Sequence, residues 1–355
     1  MKSAYIYILL LCLLCGCSQK ENGFIYRENV DSTIPVAYNF YTKDENRNIL
    51  TGAYIGNNPS GLNTIKAYED FTAVNNQFYS IALSQDFPYI KIWECLSYNK
   101  APLLIIPNDY DIGRLFFVAN KFNEYNIEFY VSISCHNEKD LEFYKTARSI
   151  FKQLAPKGKM IWCISADNYD KMLNLLPDTN YIDIIGINLI ERGNNHTLNL
   201  LHTQAEYILD NIKDKPIMLN TAISHYSHSS CCYYTYDTIK ELNYIYELTQ
   251  NYPNIMGINY INYSNSTSDN FNITQNGMQV HYKNVMDNIQ QNNYLNTGCF
   301  IYQYYDKWYT DKNTVTRLGL TYKSISCIYS NDKALCEINA DNIEINENNT
   351  GIYIK

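Results

Sequence analysis

The sequence predicts an α/β fold, a (β/α)8 barrel of the TIM type with a small C-terminal β-rich appendage, and three observations carry that reading. Eight short apolar runs recur through the middle of the chain at barrel-like intervals. Mostly amphipathic segments of helical spacing separate them, which is the alternation a closed parallel barrel requires. No glycine-rich dinucleotide or phosphate-binding turn follows an early run, which weighs against an open doubly wound sheet. At 355 residues the chain holds one domain of barrel size plus a small addition.

The runs cover 50–56, 78–84, 101–107, 128–134, 160–165, 182–189, 215–219 and 255–261. Their length, with polar residues on either side, suits strands buried on both faces. Helical spacing appears over 62–75, and over 112–124, where Leu115, Val118, Ala119 and Phe122 share a face. The clearest amphipathic helix covers 141–154, with Phe143, Ala147, Ile150, Phe151 and Leu154 on one side. Further helices are expected over 200–212, 236–249 and 277–288, the last closing the barrel. From about 292 the pattern changes to short strands at 300–305, 318–322, 325–329, 343–345 and 352–354 with Asn/Asp turns.

A formal net charge of -8 and a pI near 5.3 argue against a nucleic-acid partner. Tyrosine is abundant, at 35 residues, so a tyrosine near a site is weak support for sugar stacking. The N-terminus reads Lys2, an apolar stretch over 4–14, then Leu14-Cys15-Gly16-Cys17. The stretch is short for a transmembrane helix. It resembles a bacterial lipoprotein signal, which implies removal of 1–16, acylation (palmitate) of Cys17 and a lipid bilayer as partner. A plain cleaved signal or an uncleaved anchor are the alternatives. The organisation expected is therefore a leader over 1–16, a lipidated tether over 17–45, a barrel over 46–290 and an appendage over 291–355. The compartment expected is the cell envelope, with the protein membrane-anchored on its extracytoplasmic side.

Eight cysteines follow Cys17. Cys327 and Cys336 flank a Ser-Asn-Asp turn and are the best disulfide candidates, whereas Cys135 and Cys163 fall in apolar runs as buried free thiols. No paired-cysteine or Cys/His spacing of zinc type occurs, so neither a metal nor another cofactor is expected.

The chemistry-bearing stretch is 215–228, Lys-Pro-Ile-Met-Leu-Asn-Thr-Ala-Ile-Ser-His-Tyr-Ser-His. With GAYIG at 52–56, IWCISADN at 161–168, NYIDIIGINL at 180–189 and Ile258-Asn-Tyr260, it resembles glycoside hydrolase family 26 over about 50–288. The resemblance implies a catalytic acid/base after the fourth strand and a nucleophile on the seventh. Ungapped placement puts His136 at the acid/base, Glu138 two residues beyond it, and Thr221 at the nucleophile. Tyr260 takes the place of a sugar-stacking Trp, and Trp162 is read as core. His136, Thr221, His225, Tyr226 and Tyr260 form the ligand-binding set so implied. Asp109, Asp167 and Glu191 follow other runs and read as solvated loop carboxylates or, for the aspartates, helix caps.

A retaining glycosidase needs two carboxylates about 5–5.5 Å apart. Neither stands at the matching position here. The resemblance therefore implies a catalytically degenerate barrel, a pseudoenzyme that binds a polysaccharide or oligosaccharide without turnover. Two alternatives stay open: an active mannanase-like retaining endo-β-glycosidase with Glu138 as displaced acid, and a structural or host-facing surface protein.

Overall fold

The computed structural model describes residues 36–44, 47–56, 62–84, 86–165, 173–191, 198–223, 226–227, 232–233, 235–263, 271–273, 277–291, 294–304, 307–327, 334–339, 343–345 and 351–354. Cys17, Asp167 and His225 lie outside them. The chain divides into two units, Asp44–Leu295 and the discontinuous pair Met1–Lys43 with Asn296–Lys355.

In the first unit all eight apolar runs are strands: β2 (Leu50–Tyr54), β3 (Phe78–Ala82), β4 (Ala101–Ile105), β5 (Phe129–Ser134), β6 (Gly158–Ser165), β7 (Ile184–Glu191), β8 (Ile217–Ile223) and β11 (Ile255–Ile261). They close in the order β11-β2-β3-β4-β5-β6-β7-β8, every pairing parallel. The helices are α1 (Ile65–Thr72), α2 (Tyr89–Ser97), α3 (Ile112–Tyr125), α4 (Glu138–Leu154), α5 (Leu198–Asn211), α6 (Thr235–Asn251) and α7 (Met278–Gln290). A two-stranded hairpin, β9 (Tyr226–Ser227) and β10 (Cys232–Tyr233), follows β8. This is the (β/α)8 barrel expected.

Local chemistry starts the helices where they start. Thr64, Asp111 and Asn137 each accept a hydrogen bond from a backbone N–H two or three residues inside α1, α3 and α4, satisfying a donor the first turn leaves without a partner. The helix α2 has no counterpart in the sequence reading. Its Tyr89, Ile90 and Trp93 are exposed while Ile92 and Cys95 are buried, so apolar residues stand on its solvent side as well as against the core.

Strand alternation sorts side chains into two layers. One set, including Ala53, Tyr79, Leu104, Val131, Trp162, Leu219 and Tyr260, packs in one cluster with residues of the helices such as Tyr68, Phe122, Leu242 and Tyr282. The other set, Phe78, Leu103, Tyr130, Ile161, Cys163, Ile184 and Met218, fills the bore. Gly52 must be glycine because a Cβ there would lie 2.2 Å from the Phe78 ring. Gly186 lets the Cys163 thiol cross the bore, since a Cβ would meet its Sγ at 2.4 Å.

The second unit is a seven-stranded sheet of order β14-β15-β13-β12-β1-β17-β16. Its strands are β1 (Val36–Lys43), β12 (Tyr294–Tyr304), β13 (Lys307–Thr310), β14 (Tyr322–Cys327), β15 (Ala334–Ile338), β16 (Ile343–Ile345) and β17 (Gly351–Ile354). Three expectations change. The end of the presumed tether is strand β1, paired in parallel with β17. The expected strand at 318–322 begins as the end of α8 (Lys312–Leu318), closed by Gly319 at φ 63. Cys336 is a buried free thiol rather than half of a disulfide. The register explains it: Cys336 stands opposite Ile325 and Cys327 opposite Ala334, a diagonal relation and not the facing one a disulfide favours.

Candidate functional site: the C-terminal half of the barrel bore

In this architecture, ligands meet the C-terminal ends of the strands. There the apolar bore gives way to a polar layer. Asn188 of β7, Asn220 of β8 and Asn259 of β11 stand side by side in register. Asn220 Nδ2 donates to Asn188 Oδ1 at 2.8 Å, and Asn259 Nδ2 donates to Asn220 Oδ1 at 3.0 Å. The chain of bonds ends at β3, where Ser80 Oγ donates to Asn259 Oδ1 at 2.7 Å. Asn220 also reaches the Cys163 sulfur at 3.7 Å, and that sulfur lies 3.0 Å from Ser132 Oγ. Asn220 and Asn259 each donate one bond and accept another in the same direction, so the bonds polarise one another in a dry environment.

Tyr54 of β2 continues the inward row above Gly52 and pairs in register with Ser80. Its ring lies over Gly56 and 6.4 Å from that of Tyr263, just past β11. Burial, then the neighbouring Tyr263, raises the Tyr54 hydroxyl above its ordinary pKa. The result is a neutral, hydrogen-bonding layer with two half-buried tyrosines beside it.

The residues singled out from sequence fall elsewhere. Thr221 is fully buried on the outward row of β8, in register with Leu189 and Tyr260, and its Oγ1 has no hydrogen-bond partner among the described residues. Strand periodicity puts Asn220 and Ala222 on the bore side instead. Tyr260 also faces the helices: its ring meets that of Tyr282 at 5.0 Å, and its hydroxyl donates to Phe271 O at 3.2 Å. It is core, not a sugar platform, and burial drives its hydroxyl pKa far up. Trp162 is core as expected.

His136 is exposed in the loop after β5, with its backbone N–H donating to Asp140 Oδ2 at 2.8 Å. Asn137 caps α4, so Glu138 becomes the first helical residue, exposed, rather than an inward-pointing acid. Asp109 lies in an exposed turn, and the cap of α3 is Asp111. Glu191 ends β7 at the register of Ile223, and Tyr226 belongs to the β9–β10 hairpin. The structure thus brings Thr221 and Tyr260 together, but in the outer layer. Among the described residues, no group of three His, Cys, Asp or Glu side chains is placed to hold a metal ion.

No protein-family model matches the chain, and no curated protein does. Solved glycoside hydrolases with parallel barrels do resemble it. A β-D-glucuronidase from Dictyoglomus thermophilum superposes with a TM-score of 0.50 at 10% identity, covering 71% of this chain and 52% of that one. Thermotoga maritima Cel5A in complex with cellobiose gives a TM-score of 0.47 at 12% identity, over 67% of this chain and 97% of that one. A glycoside hydrolase family 26 β-mannanase from Bacteroides ovatus gives 0.45 at 12% identity, over 69% and 89%. The likeness is one of fold.

Sequence reasoning passed over the asparagine layer and Tyr54. A signal was present: Gly-Ile-Asn occurs in both 186–188 and 257–259, and an Asn directly follows the seventh run at 220. A lone amide inside a short apolar run is costly unless it has partners, so three on neighbouring strands call for a shared network. Chemically the layer can accept and donate hydrogen bonds. It offers neither a nucleophilic carboxylate nor a general acid, the pair that retaining glycosidases use.

Proposed function

We propose that this is a cell-envelope lipoprotein whose glycoside-hydrolase-like barrel binds a glycan at the C-terminal mouth without hydrolysing it. One observation carries the reading. The inward positions near the strand ends, Ser80, Asn188, Asn220 and Asn259, are amides and a hydroxyl tied to one another. Amides and hydroxyls suit the recognition of sugar hydroxyls, and Tyr54 and Tyr263 add aromatic surface beside them. Glycosidic bond cleavage needs a charge to stabilise the developing cation, and this layer is uncharged. The sugar-processing names of the structural neighbours support a carbohydrate ligand. The leader over 1–16, followed by Cys17, supports the envelope location.

The test pairs binding with turnover. Oligosaccharides from β-mannan, mixed-linkage glucan and xylan are titrated into the purified protein by calorimetry, and the same mixtures are followed for reducing ends. The expected outcome is binding that weakens at least tenfold with Tyr54→Ala, with no new reducing ends. Hydrolysis by the unaltered protein that disappears in Glu138→Gln would overturn the proposal.

A further inference from the structure

We infer that the outer face of α2 and α3 is a lipid-contacting surface, which rests on the interface of the bilayer that holds the acylated Cys17. The inference builds on the anchor reading above. On α2, Tyr89 is 38% exposed, Ile90 80% and Trp93 58%; on α3, Ile112 is 47%, Phe116 45% and Phe117 43%. Half-buried Phe87 joins the two helices, its ring centroid 4.6 Å from Tyr89 and 5.4 Å from Phe117. Trp93 continues the group at 6.0 Å from Tyr89. Lys121 edges it, with Nζ 5.9 Å from the Phe117 centroid and 2.7 Å from Glu124. Barrel helices ordinarily turn their polar side outward, and an apolar surface of this kind marks an interaction face.

The chemistry favours lipid as the occupant. A sugar needs flat rings in a common plane, whereas the Tyr89 and Trp93 rings are inclined at 57° and the most exposed residue is the branched aliphatic Ile90. Branched aliphatics with Trp, Tyr and Phe, and a lysine at the rim, are what the headgroup–acyl boundary takes up. The 18 residues between Cys17 and Val36 span at most about 60 Å when extended, so a chain anchored at Cys17 stays within that reach of the bilayer. Tethering turns even a weak second contact into a populated one.

Trp93 supplies the probe. Of the three tryptophans, Trp162 and Trp308 are buried. The full chain, purified as the cell processes it, is reconstituted into phosphatidylcholine vesicles with and without bromine on the acyl chains. Bromine is expected to remove about a third of the tryptophan emission, the share of one residue in three. Trp93→Phe abolishes that loss, and Ile90→Ser with Phe116→Ser reduces it at least fivefold at unchanged circular dichroism. Fatty-acid labelling of Cys17 in the same cells separates the two readings. Labelled protein without quenching overturns the lipid face and leaves the anchor standing. If Cys17 is unlabelled the anchor fails, and vesicle flotation of that chain then decides: flotation lost with Ile90→Ser upholds the face, and no flotation overturns it. A dimer in sedimentation that Ile90→Ser dissociates, with no quenching, makes the face a contact between copies and overturns the proposal.

Discussion

At the scale of the residue, neighbours in sequence have opposite fates on β8. Asn220 faces the bore and bonds on both sides, while Thr221 faces the helix layer with its hydroxyl buried and unbonded. Thr221→Val removes a desolvated hydroxyl at nearly constant shape, so stability should hold or rise by up to about 1 kcal/mol. Thr221→Glu would bury a carboxylate among apolar side chains. It should cost about 3–5 kcal/mol, like other unpaired buried charges, and restore no hydrolysis. Urea unfolding of both variants checks the pair, and a stable, active Thr221→Glu protein would refute the assignment of faces. The buried thiols make a pH prediction. Burial pushes Cys163 up to about 11, and Cys95 and Cys135 up to about 12. The folded protein therefore holds these protons more tightly than the unfolded chain, whose thiols titrate near 8.5. Their contribution to stability is complete below about pH 8.5 and is lost as pH rises toward 11–12. Ellman's reagent at pH 8 should leave all three unmodified in the native protein and label them in urea; rapid native labelling would contradict the burial.

At the scale of the element, the start of α4 decides where Glu138 stands. Asn137 Oδ1 accepts from Asp140 N at 3.1 Å, and Asp140 returns its carboxylate to His136 N and Asn137 Nδ2. This reciprocal cap fixes where the helix begins and leaves Glu138 at its first position, where a negative charge suits the helix dipole. Asn137→Ala should cost about 1 kcal/mol in the urea midpoint, the usual worth of such a cap. No loss of stability would mean that the loop after β5 is held by something else. The helix α2 gives the opposite lesson. It spans nine residues with buried Ile92 and Cys95 at helical spacing, a periodicity present in the sequence that was passed over, and the structure adds that Tyr89, Ile90 and Trp93 stand on its solvent side.

At the scale of the whole molecule, the chain separates a contiguous barrel unit from a sheet assembled from both termini. In that sheet β1 lies between β12 and β17, so it joins the β16–β17 pair to the strands before it. A chain beginning at Asp44 should therefore keep amide protection in β2 through β8 and lose it in β16 and β17. Hydrogen exchange read by mass spectrometry tests this, and full protection of β17 without β1 would show that the sheet does not need its N-terminal strand.

The amino-acid pattern alone was enough to place the strands of the barrel. An apolar run of five to eight residues can be satisfied in few ways, and its partners are supplied by any neighbouring parallel strand. It also determined most helices, because their buried faces repeat at helical spacing, as in Leu115, Val118, Ala119 and Phe122. What it left open was every property that depends on which face of a strand looks inward. A one-residue shift exchanges bore for outer layer, so matching a motif by counting placed Thr221 and Tyr260 where Asn220 and Asn259 stand. Only closure of the barrel fixed that phase, by bringing Gly52 against Phe78 and Gly186 against Cys163. The pairing of β1 with β17 likewise joins residues from opposite ends of the chain, a contact that no local pattern encodes.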